Sequence, residues 1–393
     1  MSEAVKVIDD VSFADLLANP YPIFKRVRDL GPVVKVEAAN IMMVTRFDDI
    51  MAIERDPETF SSINPQSLLN TVIGPNLMRK DGDDHARERA AMDPSLRPGV
   101  VKRCWADPMR AICDDVISQI EHKGEAELFE ELAAPIAARA LADILGFDGV
   151  DWRTMALWSQ SLIDGSGNYS HDPEIARKAR EAASGVESAV DRMLPHHRDN
   201  PNPSMLSSML QADPAQTVEQ IYANIKVAIG GGLNETRDSI LTLILGLLQN
   251  PDQLARVRAE PSLWGQAFEE AVRWVSPIGM YPRRLTRDVE ISGTLVRKGE
   301  QVGLCVGAAN HDDRRFSDPE KFDVFREKKS HLAFGAGSHF CAGTWVSRAL
   351  VSQIAVPMVF ERLRNLRLKD TELVRVRGWV FRGPTHMPVI WDA

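Results

Sequence analysis

The stretch HLAFGAGSHFCAGTWVSRAL, residues 331–350, places Cys341 behind a glycine-rich run and just before a helical pattern. Gly335, Gly337 and Gly343 admit backbone conformations closed to other residues and let the chain approach a large flat object. A helix that starts near Gly343 or Thr344 offers free N–H groups and the positive end of its dipole, which favour a thiolate. Such a thiolate suits either a nucleophile or a metal ligand. As a nucleophile it would need His339, but residues two apart at a loop end do not readily meet, and no third orienting group is evident. Cys104, Cys113 and Cys305 are scattered, with no C-x-x-C, which argues against a structural zinc or a redox dithiol. They read as small buried hydrophobes.

Two further constellations carry chemistry. Glu270 and Arg273 lie three apart and can pair on one helix face. The run AIGGGLNETRD, residues 228–238, puts three consecutive glycines in a helical context, each costing about 1 kcal/mol. Close helix packing is one reason for them, and room for a ligand is the other. Glu235 and Thr236 beside them are groups able to move protons.

These residues need a helical frame, and the sequence supplies one. The chain has 393 residues, 44% hydrophobic and 26% charged, as in ordinary globular proteins. Its net charge of −8 argues against nucleic-acid binding. Residues 1–20 lack a basic start followed by an apolar run, so no signal peptide is expected. The longest apolar run, residues 239–248, is too short for a membrane span of about 20 residues. A cytoplasmic protein is the expectation. Helices are predicted at 21–31, around 47–56, through most of 83–210, at 217–249, 263–274 and 344–364. Residues 33–46 alternate like a hairpin, 60–81 read as a long loop, and 287–307 read as short strands. The class is mainly α with a small β region.

The motif Phe334-Gly335-x-Gly337-x-His339-x-Cys341-x-Gly343 resembles the haem-binding loop of the cytochrome P450 family. Glu270-x-x-Arg273 is similar to that family's helical Glu-x-x-Arg. Residues 309–323 resemble its following coil, and His85-Ala-Arg-Glu-Arg89 its His-x-x-x-Arg. The similar segments run in family order over nearly the whole chain. The resemblance implies a single haem-thiolate domain over residues 1–393, with haem b as cofactor and Cys341 as iron ligand. A cysteine thiolate on haem iron favours O–O cleavage. Phe334 would shield the sulfur's face, with Gly343 beside it. His85, Arg89, Arg283 and His339 would meet the haem propionates, with Arg284 a neighbour that could turn inward in place of Arg283. The family's Glu-Arg pair takes a third cation from the coil, and Lys321 and Arg326 both remain open for that place.

The family usually reads small-Gly-x-acid-Thr in the glycine-rich helix, an acid–alcohol pair that relays protons during oxygen activation. Two registers fit here. One sets Asn234 on the acid and Glu235 on the threonine; the other keeps Glu235-Thr236 as the pair. Ungapped spacing through Asn250-Pro251 to Glu270 favours the first, so Glu235 takes the threonine's place. Bacterial aromatic O-demethylases of the guaiacol type carry Gln-Glu-Pro there, and their C-terminal segment is similar to residues 378–391, with Phe381 on a substrate-packing phenylalanine.

The resemblance therefore implies a monooxygenase that hydroxylates or O-demethylates a small aromatic substrate. Electrons would come from NAD(P)H through a separate ferredoxin or flavin/iron–sulfur reductase, docking near Lys102, Arg103, Arg110 and Arg348. Ile229, Gly232, Leu233, Ile278, Phe381 and the 60–81 loop would shape the substrate pocket. Alternatives are oxidation of a terpenoid or other small hydrophobic molecule, and a non-catalytic haem-binding sensor.

Overall fold

A computed structural model describes residues 4–168 and 171–393. Helices dominate, and the contacts fall into two compact units between which the chain crosses five times. The first unit comprises Met1–Ile63, Leu241–Cys341 and Leu368–Met387, and the second the remaining segments.

A six-stranded mixed sheet organises the first unit, in the order Lys6–Ile8, Val34–Val36, Ile41–Val44, Gln301–Leu304, Tyr281–Leu285, Phe60–Ser61. Val34 pairs antiparallel with Met43, Met42 parallel with Val302, and Tyr281 antiparallel with Leu304. Alternation sends Val44, Val302 and Leu304 into a core with Phe47, Ile50, Ile53 and Phe316. That core seats the helix Phe47–Glu54, whose last residue matters below. The expected hairpin is present, but a single 3₁₀ turn at Glu37–Ala39 separates its strands, closed by Asn40 in the left-handed region.

Helices Gly82–Met92, Ala106–Ser118, Ala134–Leu145, Trp152–Ser166 and Pro173–Asp199 build the second unit, with residues up to Ile240 of the long helix Val218–Gln249. Strands Glu125–Glu127 and Pro388–Asp392 pair antiparallel beside them. Among the described residues no helix is long and apolar enough to cross a membrane.

The expected helical stretch 83–210 is interrupted by the strand Glu125–Glu127 and by π-helical turns at Val101–Trp105 and Phe129–Ala133, and two further regions depart from expectation. Residues 60–81 are not one long loop: they hold the strand Phe60–Ser61, the helix Leu68–Ile73, whose Gly74 cap has φ +94°, and a 3₁₀ turn at Leu77–Arg79. The helix expected at 344–364 is α-helical at Thr344–Ser347 and Val356–Arg362, but widens to a π-helix over Arg348–Ala355. A hydrophobic period of 3.6 does not distinguish the two.

Candidate active site

The cysteine loop is built by two left-handed glycines and one buried acid. Gly335 and Gly337 take φ +66° and +64°, the left-handed region that side chains resist. A Cβ on Gly337 would lie 2.1 Å from the carbonyl oxygen of Glu54. Gly343, by contrast, has φ −77°, an ordinary helical value, so the expectation of special backbone there is corrected. The Cys341 N–H donates to the Phe334 carbonyl at 2.9 Å, closing the loop. Phe334 packs near Phe268 and His331, with ring centroids 6.2 and 6.0 Å away.

Exposure separates the four free cysteines. Cys341 is exposed, Cys113 and Cys305 are buried, and Cys104 is intermediate. Burial pushes the Cys113 thiol up to about 12 and raises that of Cys305 as well, which leaves both inert. An exposed sulfur on a glycine-framed loop fits the ligand of a flat metallocofactor.

Glu54 supports this loop and was not singled out from the sequence. Its Oε1 accepts from Arg283 Nη2 at 2.9 Å, and its Oε2 accepts from the Ala336 N–H at 3.3 Å. Arg283 Nη1 donates to the Pro282 carbonyl. Arg283, expected at a propionate, is thus engaged by a carboxylate of the protein itself. Arg284, its open neighbour, donates Nε to the Gly299 carbonyl on the exposed side. His339 Nε2 lies 3.1 Å from Ser62 Oγ.

The Glu270–Arg273 pair is buried and bidentate, at 2.7 and 2.8 Å. Arg273 also donates to the carbonyls of Asn310, Pro319 and Lys321. The third cation is Arg326, whose Nε reaches Glu270 Oε1 at 3.2 Å. Lys321 contributes only its carbonyl there, since its amine pairs with Asp318 at 2.9 Å. The network anchors the coil that leads to the cysteine loop.

In the second unit, the long helix has one open stripe. Between Ala223 and Leu247 every residue is buried except Val227, Ala228, Gly231, Gly232, Glu235 and Thr236. These recur at i, i+1, i+4, i+5, i+8 and i+9, one face of an α-helix. The glycines divide their work. A Cβ on Gly232 would press on Leu141 at 3.1 Å, so that glycine serves packing; one on Gly230 would make an ordinary contact with Ile163 at 3.5 Å, and nothing lies within 4 Å of one on Gly231. Ile229 and Leu233, expected in a pocket, are 0% exposed and face the helix's packed side. The open side belongs to Val227, Ala228 and Gly231, which stepping back from Glu235 by helical turns would have found.

Both carboxyl oxygens of Glu235 are buried and have no hydrogen-bond partner. Desolvation pushes this carboxyl up to about 8. Thr236 Oγ1 is committed to the Gly232 carbonyl at 2.8 Å. Asn234 Oδ1 accepts from Arg237 at 3.0 Å. In either register Glu235 is the acid of this turn whose oxygens are uncommitted.

Other expected residues fall as follows. His85 is buried on the helix Gly82–Met92, and Arg89 of that helix pairs at 2.5 Å with Asp93, the residue that caps its end. Ile278 and Phe381 face each other across an antiparallel bridge, flanked by Gly279 N–H to Val380 C=O and Arg382 N–H to Pro277 C=O. Phe381 is 37% exposed. Lys102, Arg103 and Arg110 are exposed, while Arg348 lies over the Trp345 ring at 5.4 Å.

Comparison with known proteins agrees with this geometry. The model of the family described as Cytochrome P450 matches residues 170–364. The chain is 30% identical to "Cytochrome p450 CYP199A2" of Rhodopseudomonas palustris, over 95% of this chain and 92% of that one. It is 28% identical to "Biotin biosynthesis cytochrome P450" of Bacillus subtilis, over 98% and 100%. Its fold matches the solved structure of P450BioI in complex with hexadec-9Z-enoic acid ligated acyl carrier protein. That match has a TM-score of 0.88 and 27% identity, over 95% of this chain and 98% of that one.

Proposed function

This chain belongs to the cytochrome P450 family, and from that premise we propose that it oxidises a small aromatic ether, with Glu235 governing the supply of protons. Members of the family bind haem b through a cysteine thiolate and are monooxygenases that use O₂ and electrons from a redox partner. When bound, the haem supplies thiolate-driven activation of dioxygen.

Cys341 is the proposed ligand, supported by its exposure and by the loop that Glu54 and the two left-handed glycines hold. His85, Arg89, Arg283 and His339 remain the proposed propionate partners. For Arg89 and Arg283 this requires sharing donors with Asp93 and Glu54. Their guanidinium groups each have five donors, enough for both. The proposed unit of function is the whole chain, as one domain.

The observation that carries the proton role is the Glu235 carboxyl, buried without partners on the open stripe of the long helix. Its proton affinity near neutrality lets it hold a proton and release it within the working pH range. Thr236, bound to its own helix, is less able to do so. Val227, Ala228 and Gly231 make the helix face beside Glu235 apolar and small-sided, which suits a small hydrophobic substrate.

The aromatic ether reading rests on the likeness of Asn234-Glu235-Thr236 and Phe381 to the guaiacol-type group. One oxygen atom enters a methoxy C–H bond, and the other leaves as water with two electrons and two protons. The hemiacetal so formed collapses to a phenol and formaldehyde. Electrons are proposed to arrive from NAD(P)H through a ferredoxin or a flavin/iron–sulfur reductase, at the face carrying Lys102, Arg103, Arg110 and Arg348. Two of the three named proteins point elsewhere, one to biotin synthesis and one to an acyl chain on a carrier protein. Incubation with methoxyarenes, NAD(P)H and a surrogate ferredoxin system tests the reading. Formaldehyde release with a high-spin shift supports it. Terpenoids or fatty acids shifting the spectrum while no methoxyarene does refutes the aromatic ether, and binding without turnover of any substrate points to a sensor.

A further inference from the structure

One turn before the open stripe, the long helix is closed by a polar junction that the proposed reaction does not use. Asn224 precedes Val227 by three residues and Ala228 by four, so it continues the stripe backwards along the same face. There the face is covered. Asn224 is 0% exposed, and its Oδ1 accepts the Leu77 N–H at 3.0 Å. Leu77 opens the 3₁₀ turn Leu77–Arg79. Gly74 passes close by: a Cβ on it would lie 3.8 Å from the Ala223 Cβ. Residues 74–80 therefore stand as an end wall to the stripe.

One buried acid holds that wall. Glu88, on the helix Gly82–Met92, is 2% exposed. Its Oε2 accepts from Asn224 Nδ2 at 2.8 Å, and its Oε1 accepts from Gln220 Nε2 at 3.0 Å and from the Lys80 amine. Gln220 is held in turn, its Oε1 accepting the Thr217 N–H at 2.8 Å. A buried carboxylate is tolerated when its charge is paired and its oxygens are hydrogen-bonded. Here the donors come from two segments: Lys80 belongs to the wall, Gln220 and Asn224 to the long helix. A hydrophobic side chain could fill the same space but would join neither.

We propose that Glu88 is a positioning residue for the substrate: it clamps Lys80 and orients Asn224 toward the Leu77 N–H, which fixes the wall one turn beyond Val227 and limits the length of substrate that the stripe admits. The orientation follows from the amide's two ends. Asn224 gives its NH₂ to Glu88, which leaves its oxygen for Leu77. Without an acceptor at Glu88 nothing sets that choice, and an NH₂ turned to the Leu77 N–H would face a donor. The proposal rests on the reading of the open stripe as the substrate's place, and holds whether or not the substrate is an aromatic ether.

Imidazole and its 1-alkyl homologues bind haem iron and shift the Soret band, so their affinities gauge the space without the substrate in hand. In the wild-type holoenzyme the affinity should rise about four-fold per methylene while the chain finds apolar cover, then level off at the wall. In Glu88→Gln, which keeps the shape but turns an amide donor toward Gln220 or Asn224, the methyl homologue binds as in wild type. The levelling moves to chains longer by roughly four methylenes, about one helical turn. Lys80→Met, at a half-exposed residue, moves it the same way by less, and decides the matter if Glu88→Gln holds no haem. An unchanged chain-length profile in the variants that hold haem overturns the proposal. So does a loss of affinity equal for the methyl and the longer homologues, which marks general loosening. Val227→Phe fills the stripe between Glu235 and the wall, and should weaken the longer homologues selectively. If it does not, the stripe is not the substrate's place, and the proposal fails with that reading.

Discussion

Glu54 and Arg283, 229 residues apart in sequence, form a buried ion pair at 2.9 Å, with side chains 1% and 7% exposed. The same carboxylate accepts the Ala336 N–H, so one acid joins the sheet strand Tyr281–Leu285 to the loop presenting Cys341. Removing it strands a buried guanidinium.

Glu54→Ala is therefore expected to destabilise the protein by about 3–5 kcal/mol and to lower the haem bound per chain. Glu54→Gln, which keeps an acceptor, is expected to lose less. Thermal unfolding and the ratio of haem to protein absorbance measure both.

Gly337→Ala puts a side chain at φ +64° and against the Glu54 carbonyl. The left-handed conformation costs about 1–2 kcal/mol for a non-glycine residue, and the steric clash adds to it. Purified Gly337→Ala should retain little haem. Wild-type haem content and an unchanged melting temperature would contradict this account of the loop.

Much of this loop was legible in sequence, because glycines flanking a cysteine before a helix carry a local signal. Glu54 was not. It ends an unexceptional helix, FDDIMAIE, and its partners lie far along the chain. The choice between Lys321 and Arg326 was likewise closed only by the fold, since both sit in one coil and only Arg326 reaches Glu270. The long helix was readable in extent, whereas the lack of partners for Glu235 appears only in the fold. Its open stripe was misplaced onto Ile229 and Leu233, because which face is covered depends on neighbouring helices, here through Leu141 and Ile163. The π-helical turn at Arg348–Ala355 leaves no mark on hydrophobic periodicity.

Cysteine replacement separates ligand from core. Cys104→Ala, Cys113→Ala and Cys305→Ala should each keep the red-shifted Soret band of the reduced protein with carbon monoxide. Cys341→His should lose it. Survival of that band in Cys341→His would exclude Cys341 as the ligand.

The raised Glu235 carboxyl links stability to pH. Its folded value is about 8 against an ordinary 4.5, so the native state binds more protons than the unfolded state between those values. The neutral carboxyl's contribution is complete below about pH 4.5 and is lost as pH rises through about 8. Wild type should therefore lose up to a few kcal/mol relative to Glu235→Gln over this window. Chemical denaturation of both proteins at pH 5, 7 and 9 tests the sign; a constant difference across the three would contradict it.

The central claim is that Glu235, and not Thr236, controls proton supply. The direct measurement is product formed per NAD(P)H consumed, with peroxide released, in wild type, Glu235→Gln and Thr236→Ala, using a substrate that shifts the haem spin state. The account predicts normal substrate binding in both variants, a several-fold loss of coupling or rate in Glu235→Gln, and near wild-type behaviour in Thr236→Ala. Loss confined to Thr236→Ala, with Glu235→Gln fully coupled, would contradict it.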